Sequence, residues 1–559
     1  HPRPTKHHAE ENLHARTPLR SPRRLLAAAL LAALLLGTAC GGPASAGSGE
    51  ARDGGDLTFL IDSLGATWIP NNSSISSFQG HIWGHVTDKL VYVDDQGRTS
   101  PWIAESWEQN ADATEFTLHL RPGVTFSDGS PVDAAAVVAN LDMWAHGAPE
   151  RGINPIGLFP KTYAGAEAVD PATVKVSFSA PTLGFIPTLG YHGSILISPK
   201  SLGLPAEQQA DPTNDIGSGP YIIESWKQDD HVVLRKRPDY DWGPAALGQQ
   251  GPARIDTITY KVVADQQVRS SSVTSGQADV AYNPSPKEFA LFKAQGLQVG
   301  APRYLGFVNG YAINTRIAPF DDPAVRQALQ HGIDRRQILS TVYTPEWLPA
   351  TSFIQSNVPG ATDHSTSFVH DPVMAAALLD GAGWASGPDG IRTKNGARLE
   401  LTLYPNPYLA ASKDVDELVA QQLRALGFDV RLQVFDVITY SERIKLGGNV
   451  APAVEVTRSF IDAGTVSGVL TDQENGEDWF DLGTSDARLT DLAAGIARAS
   501  DPAARDELLD ELQGYVLDQG YFVPLTEIVQ RLYLFSPRVH GVTFNGIAYA
   551  NFATAWIDD

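Results

Sequence analysis

Gly217 to Gly243 constrains what this chain can fold into more tightly than any other stretch. It opens Gly217-Ser218-Gly219-Pro220-Tyr221, runs through Trp226 and the polar Lys227-Gln228-Asp229-Asp230, and closes on Asp239-Tyr240-Asp241-Trp242. Gly217 and Gly219 permit positive φ and Pro220 fixes the next φ, so the chain is expected to turn sharply and then stiffen. Tyr221 to Trp226 and Val232 to Arg235 read as two short strands, and the polar residues between them suit a hairpin turn. The product is a rigid, aromatic-rich hairpin. The 559 residues around it exceed one ordinary core, so two or three folding units are expected.

The N-terminus carries the strongest local signal. Arg16, Arg20, Arg23 and Arg24 precede the apolar run Leu25 to Leu36, which leads into Gly37-Thr38-Ala39-Cys40. A basic start, an apolar run of about a dozen residues and small residues at the cut describe an export signal over residues 1–39. Such a run is short for a permanent bilayer span. Arg23-Arg24 raises twin-arginine export beside the general route. Cys40 is the sole cysteine, which excludes an internal disulfide and a multi-thiolate metal site. Residues 40–55, rich in Gly, Ser and Ala, read as a flexible tether. Charge then narrows the partners. Without residues 1–39 the chain holds 36 Lys and Arg against 62 Asp and Glu, a body that repels phosphate backbones. Nucleic acid is not expected.

Further along, Leu57 to Ile61, Thr173 to Ser179, Ile195 to Ser198 and Ile255 to Val263 read as strands, and Phe428 to Val434 as another. Trp102 to Trp107, Phe116 to Arg121 and Val124 to Val132 form a strand-turn-strand run in which Asp128-Gly129 is a turn signal. Asp133 can cap a helix from Ala134 to Trp144. Asp321 or Asp322 can cap another, with Pro323 in its first turn and Val325, Leu329 and Ile333 at helical spacing. His81 and His85 stand four apart and would share a helix face. With no third ligand set beside them, helix-surface or capping histidines are the reading preferred over a metal pair.

Several of these blocks, in this order, resemble the large solute-binding proteins that feed peptide/nickel-type ABC transporters. They are Trp102 to Leu120, Val124 to Pro131, Gly217 to Trp242, and Asn314-Thr315 with Pro319-Phe320-Asp321-Asp322-Pro323-Ala324-Val325-Arg326-Gln327-Ala328 and Ile333-Asp334-Arg335. The resemblance covers nearly all of residues 56–559. It implies an α/β, two-lobed periplasmic-binding-protein-like fold of the large type II class with an extra subdomain in the first lobe. The implied boundaries are 56–90, 199–305 and 520–559 for lobe I, 91–198 for its subdomain and 306–519 for lobe II. It implies an extracytoplasmic, monomeric binding component that captures a peptide or similar small solute without a cofactor and delivers it to permease and ATPase subunits. Leu36 to Cys40 resembles a bacterial lipobox, which implies a lipid anchor on Cys40.

The same likeness places the ligand near Ser76, Ser77, Phe78 and Gln79, near Tyr191 and His192, near Asn314, and near the run Thr457 to Asp462. Phe460 stands where peptide-binding relatives carry an Asp for the peptide's amino group. Asp462, two residues on, either substitutes for it or is a surface carboxylate. Arg458 either meets a ligand carboxylate or serves a structural ion pair. Trp83 and Phe460 imply a more apolar pocket, and His192 is the pocket-side histidine that nickel or haem capture would use. No nucleophile elbow, Walker loop or His-Glu-x-x-His is present. A secreted hydrolase with a carboxylate pair, such as a glycosidase, and a non-transport lipoprotein receptor or adhesin are the competing readings.

Overall fold

The computed structural model describes residues 51–73, 78–248, 250–409, 411–444, 451–456, 458–466 and 486–558. The export signal, Cys40, Ser76, Ser77 and Thr457 lie outside them. The centre of the first layer is a seven-stranded mixed sheet built from distant parts of the chain. Strand Asp56–Ile61 lies between Thr257–Val262 and Val280–Tyr282 and is parallel to both. The hairpin of Tyr221–Lys227 and His231–Lys236 extends one edge, and Tyr533–Phe535 and Gln298–Gly300 extend the other. Leu57, Phe59 and Ile61 alternate onto one face under helix Phe78–Val86, while Leu60 faces Val273, Phe289, Phe292 and Leu534 on the other. Both faces are therefore covered, which suits the apolar Leu57, Phe59, Leu60 and Ile61 of this short strand.

Residues 104–178 contribute a four-stranded antiparallel sheet, Ala104–Gln109, Glu115–Leu120, Thr173–Phe178 and Tyr163–Asp170, covered by helix Ala134–His146. Asp133 caps that helix through the Ala136 N–H at 2.9 Å. A third sheet of Ala453–Glu455, Asn309–Ile313 and Phe522–Thr526 packs against helices Pro323–Gly332 and Ser412–Ala425. Asp322 caps the first of these helices, with Pro323 in its first turn. Phe522–Thr526 joins this third sheet, so the chain returns to the large sheet between Glu527 and Leu532, later than the expected boundary after Gln519. One apolar cluster links the four-stranded unit to residues 305–358, 458–466 and 489–522 through Tyr191, Phe307, Phe353 and Phe460.

Three local expectations change. Gly217 and Gly219 do not take positive φ. They are needed because a side chain there would strike the backbone of Val86 and Thr87. Ile195 to Ser198 forms no strand and makes only the single bridge Ile197 to Gly217. Val124 to Val132 is likewise a turn, closed by one bridge from Thr125 to Pro131 with Gly129 at φ 82°.

Candidate ligand-binding site

Parallel pairing puts the carboxyl ends of Asp56–Ile61, Thr257–Val262 and Val280–Tyr282 at the same edge of the large sheet. In open α/β sheets, that edge is where ligands collect. Here it opens into a cleft of about 430 Å³ lined by Asp62, Ser63, Thr67, Phe78, Tyr282, Asn283, Tyr408 and Gln530. The turn at its lip is held by Gln79, whose amide accepts from the Gly65 N–H and donates to the Gly65 carbonyl at 2.7 Å. Phe78 meets Tyr282 edge to face at 4.7 Å and gives the cleft an apolar floor. Asn283 sits at φ 54°, held by its N–H to Leu532 and by Gln266 donating to its carbonyl, both at 2.7 Å. An Asn tolerates that left-handed geometry, which is uncommon elsewhere. Tyr408 comes from the far half of the sequence and is about half exposed.

Behind this cleft lies a buried group of hydroxyls and cations. Arg531 is 3% exposed and its guanidinium stands 4.5 Å over the Tyr549 ring, with Tyr282 and Tyr533 in electrostatic reach. Burial pushes the Tyr282 and Tyr191 phenols up to about 12, so both stay protonated donors. Tyr191 lies 3.2 Å from the Ser459 hydroxyl, 268 positions away in sequence. His192 packs on the Tyr191 ring at 4.3 Å. Burial, with Lys89 and Arg531 adding to it, lowers His192 to about 3 and keeps it neutral. The Tyr304 hydroxyl and His192 Nδ1 are buried without a hydrogen bond among the described residues. Neutral donors around a desolvated guanidinium suit an anionic group, because Arg binds carboxylates in a planar fork.

The residues expected at the site are divided by the structure. Phe78 and Gln79 shape the cleft, and Tyr191 and His192 belong to the hydroxyl group behind it. Trp83 lies in the core, edge to face with Trp68 at 5.8 Å. Phe460 is 1% exposed and packs on Phe307 at 4.8 Å. Asp462 takes two bonds from Arg505, at 2.7 and 2.6 Å, so its carboxylate is held in an ion pair and is neither a free surface group nor open to the cleft. Asn314 is buried just past strand Asn309–Ile313 and its side chain accepts from the Arg316 N–H. The Arg458 carbonyl accepts from Phe307. His81 and His85 are buried 5.1 Å apart and bonded to backbone, neither on the surface nor paired as ligands. No cluster of three or more metal-ligating side chains occurs among the described residues. Asp62, Asn283, Tyr408, Gln530 and Arg531 were not singled out by sequence, because each is a lone polar residue in a loop and only the fold brings them together.

Comparison with known proteins follows the same geometry. The family model for bacterial extracellular solute-binding proteins, family 5 middle region, matches residues 98–452. The glutathione-binding protein GsiB of Salmonella paratyphi A is 28% identical over 452 residues, 79% of this chain and 83% of the relative. The crystal structure of NikA from Brucella suis in complex with Fe(III)-EDTA superposes with a TM-score of 0.76 at 25% identity, covering 90% of this chain and all of that one. The dipeptide-binding protein of Pseudoalteromonas sp. SM9913 in complex with Met-Leu gives 0.72 at 19% identity, covering 90% of this chain and all of that one, and speaks to the fold alone.

Proposed function

The chain belongs to the bacterial extracellular solute-binding proteins of family 5, and on that premise we propose that its solute is a peptide-sized molecule bearing a carboxylate. Proteins of this family, with their two-lobed type II fold, are the substrate-binding components of ABC importers; they work outside the cytoplasm with permease and ATPase subunits. The observation that carries the ligand class is the cleft at the strand ends backed by Arg531. Its volume suits a di- or tripeptide-sized solute. Phe78 and Tyr282 offer apolar contact, Asn283 and Gln530 offer amide groups, and Arg531 with the Tyr191 and Tyr304 hydroxyls offers the anion-binding end. Glutathione, Fe(III)-EDTA and Met-Leu, named with the relatives above, all carry carboxylates. That chemistry matches the arginine.

In this reading residues 56–90, 199–305 and the chain from Leu532 onward form lobe I, 91–198 its subdomain, and 306–526 lobe II. Residues 1–39 direct export, Cys40 carries a lipid, residues 40–55 tether a monomeric body to the outer face of the cell membrane, and Cys40→Ser releases the protein from membranes on fractionation. Among the described residues no helix is long and apolar enough to cross a membrane. Closure of the lobes is driven by contacts the solute makes only with the closed form. The test is a tryptophan-fluorescence titration with glutathione, Met-Leu and Fe(III)-EDTA. Saturable one-to-one binding of at least one is expected, and Arg531→Met weakens it about tenfold or more, the loss of a charge-assisted pair. Equal affinity for a dipeptide and its C-terminal amide would sink the carboxylate assignment.

A further inference from the structure

A second cavity, separate from the cleft, lies where helix Phe78–Val86 ends, between segment 89–93, residues 240–247 with Gly251, and the C-terminal segment 545–553. Lys89 lines it and is 8% exposed. Among the described residues its ammonium makes no hydrogen bond or ion pair. The neighbouring Asp88 does not answer it, because its carboxylate is taken by Trp242 Nε1 at 2.8 Å and the Tyr240 hydroxyl at 3.1 Å. None of the cavity's lining residues is Asp or Glu. A buried ammonium without a counter-charge is among the costliest arrangements a fold can hold. A buried polar group with no protein partner points to a bound ion or ordered water.

Two asparagines on the wall fit the same occupant. Asn545 uses its carbonyl to accept from the Ile547 and Tyr549 N–H groups, and Asn551 uses its own to accept from Ala553. The amide N–H₂ end of each has no bond among the described residues and is a donor. His85 spends both ring nitrogens on backbone, at His81 O and the Phe552 N–H. His81 Nε2 donates to the Ala550 carbonyl at 2.9 Å, and its Nδ1 is buried without a bond. Burial lowers Lys89 to about 8, and the nearby Asp88 opposes that, so the amine is still largely protonated at neutral pH. The cavity volume is about 50 Å³, room for roughly three to five water-sized groups. Val91, Val93 and Leu247 make much of the wall apolar, which disfavours a second negative charge.

We propose that this cavity binds a small monovalent oxyanion, of the size of formate, acetate or bicarbonate, on Lys89 and the two asparagine amides. The anion neutralises the buried ammonium and ties the helix end to the C-terminal segment. The test is thermal unfolding of the full chain at pH 7 and constant ionic strength, in sodium formate or bicarbonate against sodium gluconate, whose anion exceeds the cavity. A rise that becomes linear in log formate above the dissociation constant, about 1–2 °C per tenfold, is expected, with none in gluconate. Lys89→Met abolishes the response, and Tyr408→Ala, which alters the cleft and not this cavity, keeps it, which separates this site from the cleft. Crystals of the unmodified protein grown with formate are expected to show it within hydrogen-bond distance of Lys89 Nζ, so the inference stays testable where Lys89→Met does not fold. A response equal in formate and gluconate, a formate response retained in Lys89→Met, or water alone on Nζ overturns it.

Discussion

Glu455 shows what one buried side chain does to the whole protein's response to pH. It ends strand Ala453–Glu455 and faces Asp416 inside the third unit, both carboxylates shut from water. Ser412 donates to Glu455, the Asn406 N–H donates at 3.0 Å, and Tyr311 donates to Asp416. Burial raises both carboxyls, and the charge of Glu455 raises Asp416 further, so the pair holds a proton at neutral pH. Glu455 is pushed up to about 7. Because the folded value lies above the unfolded one, stability from this group is complete below the ordinary carboxylate range and is lost as pH rises through about 7. Calorimetric midpoints of Glu455→Gln across pH 5 to 7.5 are expected to fall less steeply than those of the parent. Asp215, raised by burial in the same direction, is present in both and cancels in the comparison. Identical slopes would mean that the pair does not titrate there. Asp416 sits on a helix and Glu455 on a strand, and neither neighbourhood in sequence announces the other. The same is true of Phe460 and Phe307, and of Asp462 and Arg505, so side-chain partners were the least legible level of the site.

Elements were far more legible, because their signals are local. Asp133, Asp322 and Asp334 each accept from an N–H in the first turn of the helix that follows, and a cap is written within four residues. The hairpin of Tyr221–Lys227 and His231–Lys236 was readable for the same reason, with Asp229 at φ 59° in its turn. What the hairpin is for was not readable. Tyr240 and Trp242 at its far end hold Asp88, and Gly217 and Gly219 at its start let it lie against Val86 and Thr87. A Cβ on Gly219 would stand 2.6 Å from the Thr87 nitrogen and 2.7 Å from the His85 carbonyl oxygen, contacts with backbone that no rotamer relieves. Gly219→Ala is therefore expected to cost about 2–3 kcal/mol in urea unfolding, as overpacking does. Gly248→Ala, at φ 73° in open space, should cost about 1 kcal/mol through backbone strain alone. Equal costs would return the two glycines of the hairpin to a conformational role.

At the scale of the whole molecule, on the proposed two-lobe reading, the seam between 91–198 and 306–526 is the place where closure is decided. Asn357 donates to the Asp95 carbonyl at 2.8 Å, Tyr191 meets Ser459, and Gly184 abuts Asp462. Sequence order gave the segments but not this seam, since every contact in it joins residues more than a hundred positions apart. Gly184 makes the seam testable. Its φ of −78° suits any residue, so a larger side chain there strains nothing locally. It does collide with the carboxylate of Asp462, which Arg505 holds in place. In that reading Gly184→Trp penalises the arrangement in which these surfaces meet and leaves one in which they part untouched. Because apparent affinity scales with the fraction of binding-competent molecules, a penalty of about 2–3 kcal/mol lowers it roughly thirty- to a hundred-and-fiftyfold. Calorimetric titration with the solute should show that loss while the far-ultraviolet circular dichroism stays unchanged, and small-angle scattering should show a larger radius of gyration with solute than the parent has. Parental affinity in Gly184→Trp would mean that the lobes close about another surface, and that the continuous apolar cluster through Tyr191 and Phe460 belongs to one rigid body.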